Sequence, residues 1–284
     1  MSAEGERSMS MSGTHKTGIS SFAYCFACGS RPFTKPEHIM TPQDLIDKAY
    51  ALGADVVQFG DNMPLEVYSG EELEQIHVYA ERCGIELEAG MRKATSERLF
   101  DYINITHKIG GRVLRVITDG ADFAPDLKTF CGIVSSLIPP LEESGVVLGI
   151  ENHDRFSARE YAQMVETINH PQVGLTIDTV NSLSHEEPID EVLKYMAPYC
   201  VCLHMKDYAI KRYNGGGGLK ITGACMGTGR LDARRCYEEC RIKSARNFNV
   251  ILESWMEPCE TLEKTLRIED EWAGTGVSYI KTML

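Results

Sequence analysis

Four polar residues in the second half of the chain each stand directly after a short apolar run. VVLGI leads into Glu151, VGLTI into Asp178, VCL into His204 and VIL into Glu253. Any one of them alone reads as an ordinary loop-edge side chain facing solvent. Four in succession read differently if the apolar runs are neighbouring parallel strands, because their ends then converge on one spot. Three carboxylates and an imidazole gathered out of water repel one another and lose hydration unless a cation compensates. One divalent metal does so. The set is hard and rich in oxygen, which suits Mn2+ first, with Mg2+ or Co2+ as alternatives, and leaves positions open for substrate. No thiolate belongs to it, so a structural zinc site is not expected.

While a chain stays extended, residues two apart point the same way. His153 and Arg155 therefore follow Glu151 toward the same mouth, Lys206 follows His204, and Trp255 follows Glu253. His153 is a candidate general acid or base beside Glu151 and Glu253. Arg155 and Lys206 are candidates for holding a carboxylate or hydroxyl oxygen, and Trp255 for an apolar wall against a sugar face. Each has a plainer alternative: the loop bends, or the cation only bridges nearby carboxylates. The same parity puts Gly174 and Thr176 behind Asp178, and Cys200 and Cys202 behind His204, small side chains suited to a packed interior. Gln58, Asp61, Glu88, Arg92, Arg115 and Asp119 also sit near strand ends, where any could touch substrate, but they read first as structural polar residues.

The elements that must position these residues follow a strict alternation. Strand-like runs are expected over 18–24, 55–59, 85–90, 112–117, 146–151, 173–178, 200–204 and 250–253. Helices are expected from Thr41-Pro42, over 70–82, 96–109 and 125–143, from Ser157 with Glu160 completing a capping box, from Pro188, from Asp232 and from near Glu260. Eight β/α units with no break in composition imply a parallel sheet covered by helices, closed into an α/β barrel of the (β/α)8 type over residues 18–284. A doubly wound sheet is the runner-up, but CFACGSRPF after the first strand is no dinucleotide loop. The segment 214–230 reads as a long glycine-rich loop. Residues 1–17 read as a polar disordered arm, in which Met9 and Met11 are alternative starts.

Composition narrows the function classes. The net charge of −12 argues against nucleic-acid binding. No run is long and apolar enough to span a bilayer, and the arm lacks the apolar stretch of a signal peptide. Ten cysteines scattered through strands and helices suggest reduced thiols and a cytoplasmic protein. Cys25 and Cys28 form one CxxC, but a zinc ribbon needs a second such pair, and none exists.

The segments GIENH at 149–153, LTIDTVNS at 175–182, CLHMKD at 202–207, GTGRLD at 227–232 and LES at 252–254 resemble the xylose isomerase-like TIM-barrel superfamily. The resemblance implies that Glu151, Asp178, His204 and Glu253 are metal ligands. It also implies that the two glutamates move protons on opposite faces of a sugar, as in the ketose epimerases. Endonuclease IV, another member, needs further histidines. Here Asn181 stands three after Asp178, GTGRLD lacks an Asp-x-His pair, and strand two ends in Gln58-Phe59, so DNA repair is disfavoured. Asn181 joins the substrate-binding candidates. Glu151-Asn152-His153, with its extra histidine, resembles members acting on 3-keto sugars, among them C-glycoside deglycosidases and 3-oxo-isoapionate decarboxylases. The implied function is a metal-dependent isomerase or epimerase of a small carbohydrate working through an enediolate. The alternative is a lyase on a 3-keto sugar or sugar acid, and a non-catalytic binding barrel comes last. The resemblance also implies a homo-oligomer, or pairing with a second subunit.

Overall fold

The computed structural model describes residues 15–33, 35–213 and 216–284. Eight strands close into a parallel barrel: β1 (Thr17–Ser20), β2 (Val56–Phe59), β3 (Glu86–Arg92), β4 (Val113–Ile117), β5 (Val147–Glu151), β6 (Val173–Asp178), β7 (Cys200–Met205) and the last strand of the chain, Asn249–Leu252. The ring runs in chain order, and the last strand pairs with the first in the register Gly18 to Ile251. Between β7 and that last strand lies an antiparallel hairpin, β8 (Asp207–Arg212) and β9 (Leu219–Ala224), so the barrel closes with β10. The expected loop over 214–230 is thus half hairpin, and Asn214 and Gly215 lie outside the described residues.

Helices cover the barrel: α1 (Pro42–Leu52), α2 (Gly70–Cys83), α3 (Ser96–Lys108), α4 (Leu127–Ser136), α5 (Ile138–Ser144), α6 (Ala158–Ile168), α7 (Ile189–Met196), α8 (Ala233–Lys243) and α9 (Leu262–Lys281). Except at α5 and α7, their starts follow from side chains that satisfy otherwise orphaned backbone N–H groups. Thr41 with Asp44, Ser69 with Glu72 and Ser157 with Glu160 each form a capping box. The single helix expected over 125–143 is two, α4 and α5. Pro139 and Pro140 have no N–H to bond back into α4, so the chain restarts with a proline in the first turn of α5. The core fills the space between strands and helices with fully buried Leu45, Ile46, Leu99, Ile103, Leu148 and Leu203.

Two sequence expectations are corrected in the barrel wall. The arm expected over 1–17 ends sooner: residues 1–14 lie outside the described residues, but Thr17 already belongs to β1, and the Lys16 carbonyl accepts from Val250 N–H. Cys200 does not share the interior with Cys202. The register between β6 and β7 shifts at Leu175/Thr176, so the strict alternation of sides fails there. Cys202 packs inside with Val56 and Ile251, while Cys200 meets Cys240 of α8. The described residues form no disulfide, and none of their helices is long and apolar enough to cross a membrane.

Candidate metal centre and substrate pocket

Glu151 closes β5, Asp178 closes β6, His204 lies one residue before the end of β7, and Glu253 follows β10. These strands are adjacent in the order β5, β6, β7, β10, so all four residues face the same end of the barrel. One ligand atom from each lies within 4.8 Å of the others, and all four side chains are buried. His204 Nδ1 stands 3.6 Å from Glu151 Oε1, 3.4 Å from Glu253 Oε1 and 3.9 Å from Asp178 Oδ2.

Two cations reach into this group. Arg115, on β4, pairs through Nε with Glu151 Oε2 and donates from Nη1 to Asp61 Oδ1 at 2.9 Å. Its guanidinium lies over the Phe22 ring, and its side chain is only 3% exposed. Lys206 places Nζ 2.8 Å from Asp178 Oδ2 and 2.9 Å from Glu253 Oε2. Burial pushes the Glu151 and Glu253 carboxyls up, but neighbouring cations outweigh it and hold both below the usual range. Arg115 acts most strongly on Glu151, and His204 on Glu253. Burial pulls His204 down, but Glu253 chiefly reverses this and holds the imidazole well above its usual value.

The donor set suits a divalent cation. Glu151 Oε2, Asp178 Oδ2, His204 Nδ1 and both Glu253 oxygens are buried with no hydrogen bond of good geometry, although cations stand close. Buried polar atoms are seldom left so, and their convergence calls for a ligand without directional demands of its own. The remaining Asp178 oxygen, Oδ1, is spent on the backbone: it accepts from Val180 N–H and Asn181 N–H, fixing the turn after β6. Asn152 ties β5 to β6, accepting from Asp178 N–H at 2.7 Å and donating to the Asp178 carbonyl and Ser182 Oγ at 2.9 Å each.

Above the ligand group opens a cavity of about 380 Å3. His153, Asp154, Asn181, Lys206 and Ser184 supply its polar lining, and Val180, Leu183, Ile221 and Trp255 its apolar wall. Asn181 donates to Glu151 Oε1 at 3.0 Å and to the Asn152 carbonyl at 3.2 Å, so its position is set by the end of β5. Trp255 donates from its indole N–H to the Asp207 carbonyl at 3.1 Å. Gly223 of β9 lies flat against it: a Cβ there would come 2.4 Å from the Trp255 carbonyl oxygen. His153 pairs through Nδ1 with Asp154, and burial chiefly lowers its pKa.

Of the residues singled out by sequence, the structure brings together Glu151, Asp178, His204, Glu253, Lys206 and Asn181, with His153 and Trp255 at the rim. It does not bring in Arg155. The chain turns at Asp154-Arg155, and the guanidinium donates to the Pro125 carbonyl at 2.9 Å and stacks on Phe156. Gln58 and Glu88 lie in the barrel interior, where Gln58 Nε2 donates to Glu88 Oε2 at 2.8 Å. Sequence reasoning passed over Arg115 as structural and missed Ile221, which only the hairpin brings to the pocket.

A sequence profile of the family described as xylose isomerase-like TIM barrel matches residues 46–283. The chain belongs to that family. A 3-oxo-isoapionate decarboxylase of Pectobacterium atrosepticum is 28% identical over 268 residues, spanning 93% of this chain and 94% of its own. Among solved structures, D-psicose 3-epimerase of Clostridium cellulolyticum H10 with D-tagatose superposes with a TM-score of 0.72 at 16% identity, over 95% of this chain and 99% of its own. A xylose isomerase-like TIM-barrel protein of Mycobacterium smegmatis in complex with magnesium gives 0.67 at 14% identity, over 93% and 97%. At such identities the two structures show the fold this family member shares.

Proposed function

We propose that this xylose isomerase-like barrel is a divalent-metal-dependent enzyme acting on an oxidised sugar or sugar acid, and that it is a lyase of the decarboxylating kind. The sequence alone placed isomerisation or epimerisation first. The observation that carries the new order is the unequal state of the two glutamates. Epimerisation through Glu151 and Glu253 needs both to carry protons, one on each face. Arg115, buried and anchored by Asp61, is paired with Glu151 Oε2, while Asn181 donates to Oε1. Glu151 is thereby held ionised, with a fixed cation beside one oxygen and a fixed donor on the other. Glu253 has the flexible Lys206 beside Oε2 and the His204 imidazole 3.4 Å from Oε1, and accepts no hydrogen bond on either oxygen.

Loss of CO2 requires one proton at one carbon, so one mobile group is enough. The 28% identity to a decarboxylase along nearly the whole chain supports the same reading. A divalent cation held by Glu151, Asp178, His204 and Glu253 would polarise a substrate carbonyl with its adjoining hydroxyl and stabilise negative charge there by several kcal/mol. Lys206 and Asn181 orient the substrate's acidic end from the polar side of the cavity. Trp255 and Ile221 cover its carbon face and keep water away. His153, or Glu253 after taking up a proton from solvent, delivers it to the carbon that loses the carboxylate.

The test is to incubate metal-loaded protein with 3-keto sugar acids, 3-keto glycosides and ketoses in D2O. Release of CO2 with one deuterium in the product and none in recovered substrate is expected. Deuterium exchange into recovered substrate and an isomeric product, without CO2, would restore the epimerase reading.

A further inference from the structure

We propose that Lys206 is a tethered counter-cation of the metal centre: its ammonium balances the carboxylates in the metal-free protein, and a divalent ion displaces it into the substrate pocket. The inference rests on the metal-dependent reading above. Lys206 Nζ lies within 3 Å of one oxygen each of Asp178 and Glu253, two of the four ligands. Yet neither oxygen has a hydrogen bond of good geometry. The ammonium's one hydrogen bond of acceptable geometry goes instead to Asn181 Oδ1 at 3.4 Å, and both Lys206 and Asn181 line the cavity.

Charge explains why the ammonium sits there and why it must leave. Three buried carboxylates face Arg115 and Lys206, which balance two of them and leave one negative charge to the His204 imidazole. Without Lys206 two would remain. A divalent ion added beside both cations makes the group net positive. The lysine and the ion would then compete for the same oxygens while repelling each other at close range. Arg115 cannot yield, because Asp61 and Phe22 hold its planar head. Lys206 can, because its ammonium sits on a flexible four-carbon stem with open space on one side. The lysine therefore sets metal affinity, and on metal binding it becomes the positive group that faces the substrate.

The test compares Mn2+ binding to metal-free full-length wild type and K206M, by calorimetry and by the electron-spin signal of free Mn2+. Removing the competing charge is expected to tighten binding by at least about tenfold. In the wild type, acetylation of Lys206 by an N-hydroxysuccinimide ester, read by peptide mass spectrometry, is expected to rise several-fold on saturation with Mg2+. Equal or weaker Mn2+ binding by K206M overturns the proposal. So does a wild type that binds Mg2+ with no change in Lys206 reactivity, and this second readout decides alone if K206M does not fold without metal. If neither protein binds any divalent ion, the metal-dependent reading fails first and this inference falls with it.

Discussion

Arg115 is a buried guanidinium whose counter-charges come from two other strands' ends, Glu151 and Asp61. Removing one member of such a pair strands the other in a poorly hydrated site, at a cost of about 3–5 kcal/mol. R115M should lower stability to urea by that order at pH 7, and a loss under about 1 kcal/mol would mean that the pair is solvated. E253Q changes a proposed ligand and the glutamate that accepts no hydrogen bond. It should reduce kcat/KM at least about a thousandfold and lower bound metal, with an unchanged circular dichroism spectrum. Near-normal turnover in E253Q would remove the proposed centre. The grouping of Glu151, Asp178, His204 and Glu253 was legible because each ends an apolar run, and a parallel barrel turns every such end to one mouth. Arg115 ends no run, lying two residues short of the end of β4, so nothing local distinguishes it from a structural arginine. Arg155 was misplaced for a local reason: parity holds only while the chain is extended, and it turns two residues after Asn152.

The hairpin β8–β9 is the element that makes the mouth into a pocket. Asp207 at its base accepts from the backbone N–H groups of Gly227, Gly229 and Leu231, anchoring the GTGRLD segment, and its carbonyl receives the Trp255 indole. Gly223 packs on Trp255 so closely that any side chain must push the two apart. G223V should therefore open the apolar wall, raising KM about tenfold, roughly 1.4 kcal/mol of lost contact, while kcat changes less than KM. The hairpin pairs with no barrel strand, so the melting temperature should fall by only a few degrees. A collapse of kcat with unchanged KM would place the hairpin in the chemistry instead. The helices were legible because burial on one side imprints periodicity and caps mark the starts, and the eight barrel strands because burial on both faces leaves short apolar runs between them. The hairpin was not. Its strands are largely exposed, with Leu219 and Ile221 beside Lys220, so no burial pattern was there to read, and the four glycines after Asn214 dominated the segment. The break between α4 and α5 was signalled by Pro139-Pro140, a cue that the apolar spacing across it obscured.

At the scale of the whole molecule, the barrel exists only when the two ends of the chain meet, because β1 pairs with β10. The C-terminal helix α9 secures that closure through Glu269, whose carboxylate accepts from Phe26 N–H at 2.8 Å and Ala27 N–H at 3.0 Å in the turn beyond β1. Burial raises this carboxyl to about 7, against the two backbone bonds that favour its charged form. In the unfolded chain the group titrates near 4.5. Below that value both states hold the proton, and the group's contribution is fully present. Between 4.5 and about 7 the folded state keeps a proton that the unfolded state has lost, so stability falls as pH rises across this window and levels off above it. At about 1.4 kcal/mol per pH unit the contribution is on the order of 3 kcal/mol. E269Q cannot ionise, so the difference in unfolding free energy between wild type and E269Q should move in the variant's favour from pH 5 to pH 8, by up to that amount. The bond lost when one amide oxygen replaces two carboxylate oxygens shifts E269Q by a constant and leaves the slope untouched. Urea titrations of both proteins at several pH values measure this difference. Parallel pH profiles would show that Glu269 stays ionised in the folded protein and that its two backbone bonds outweigh burial.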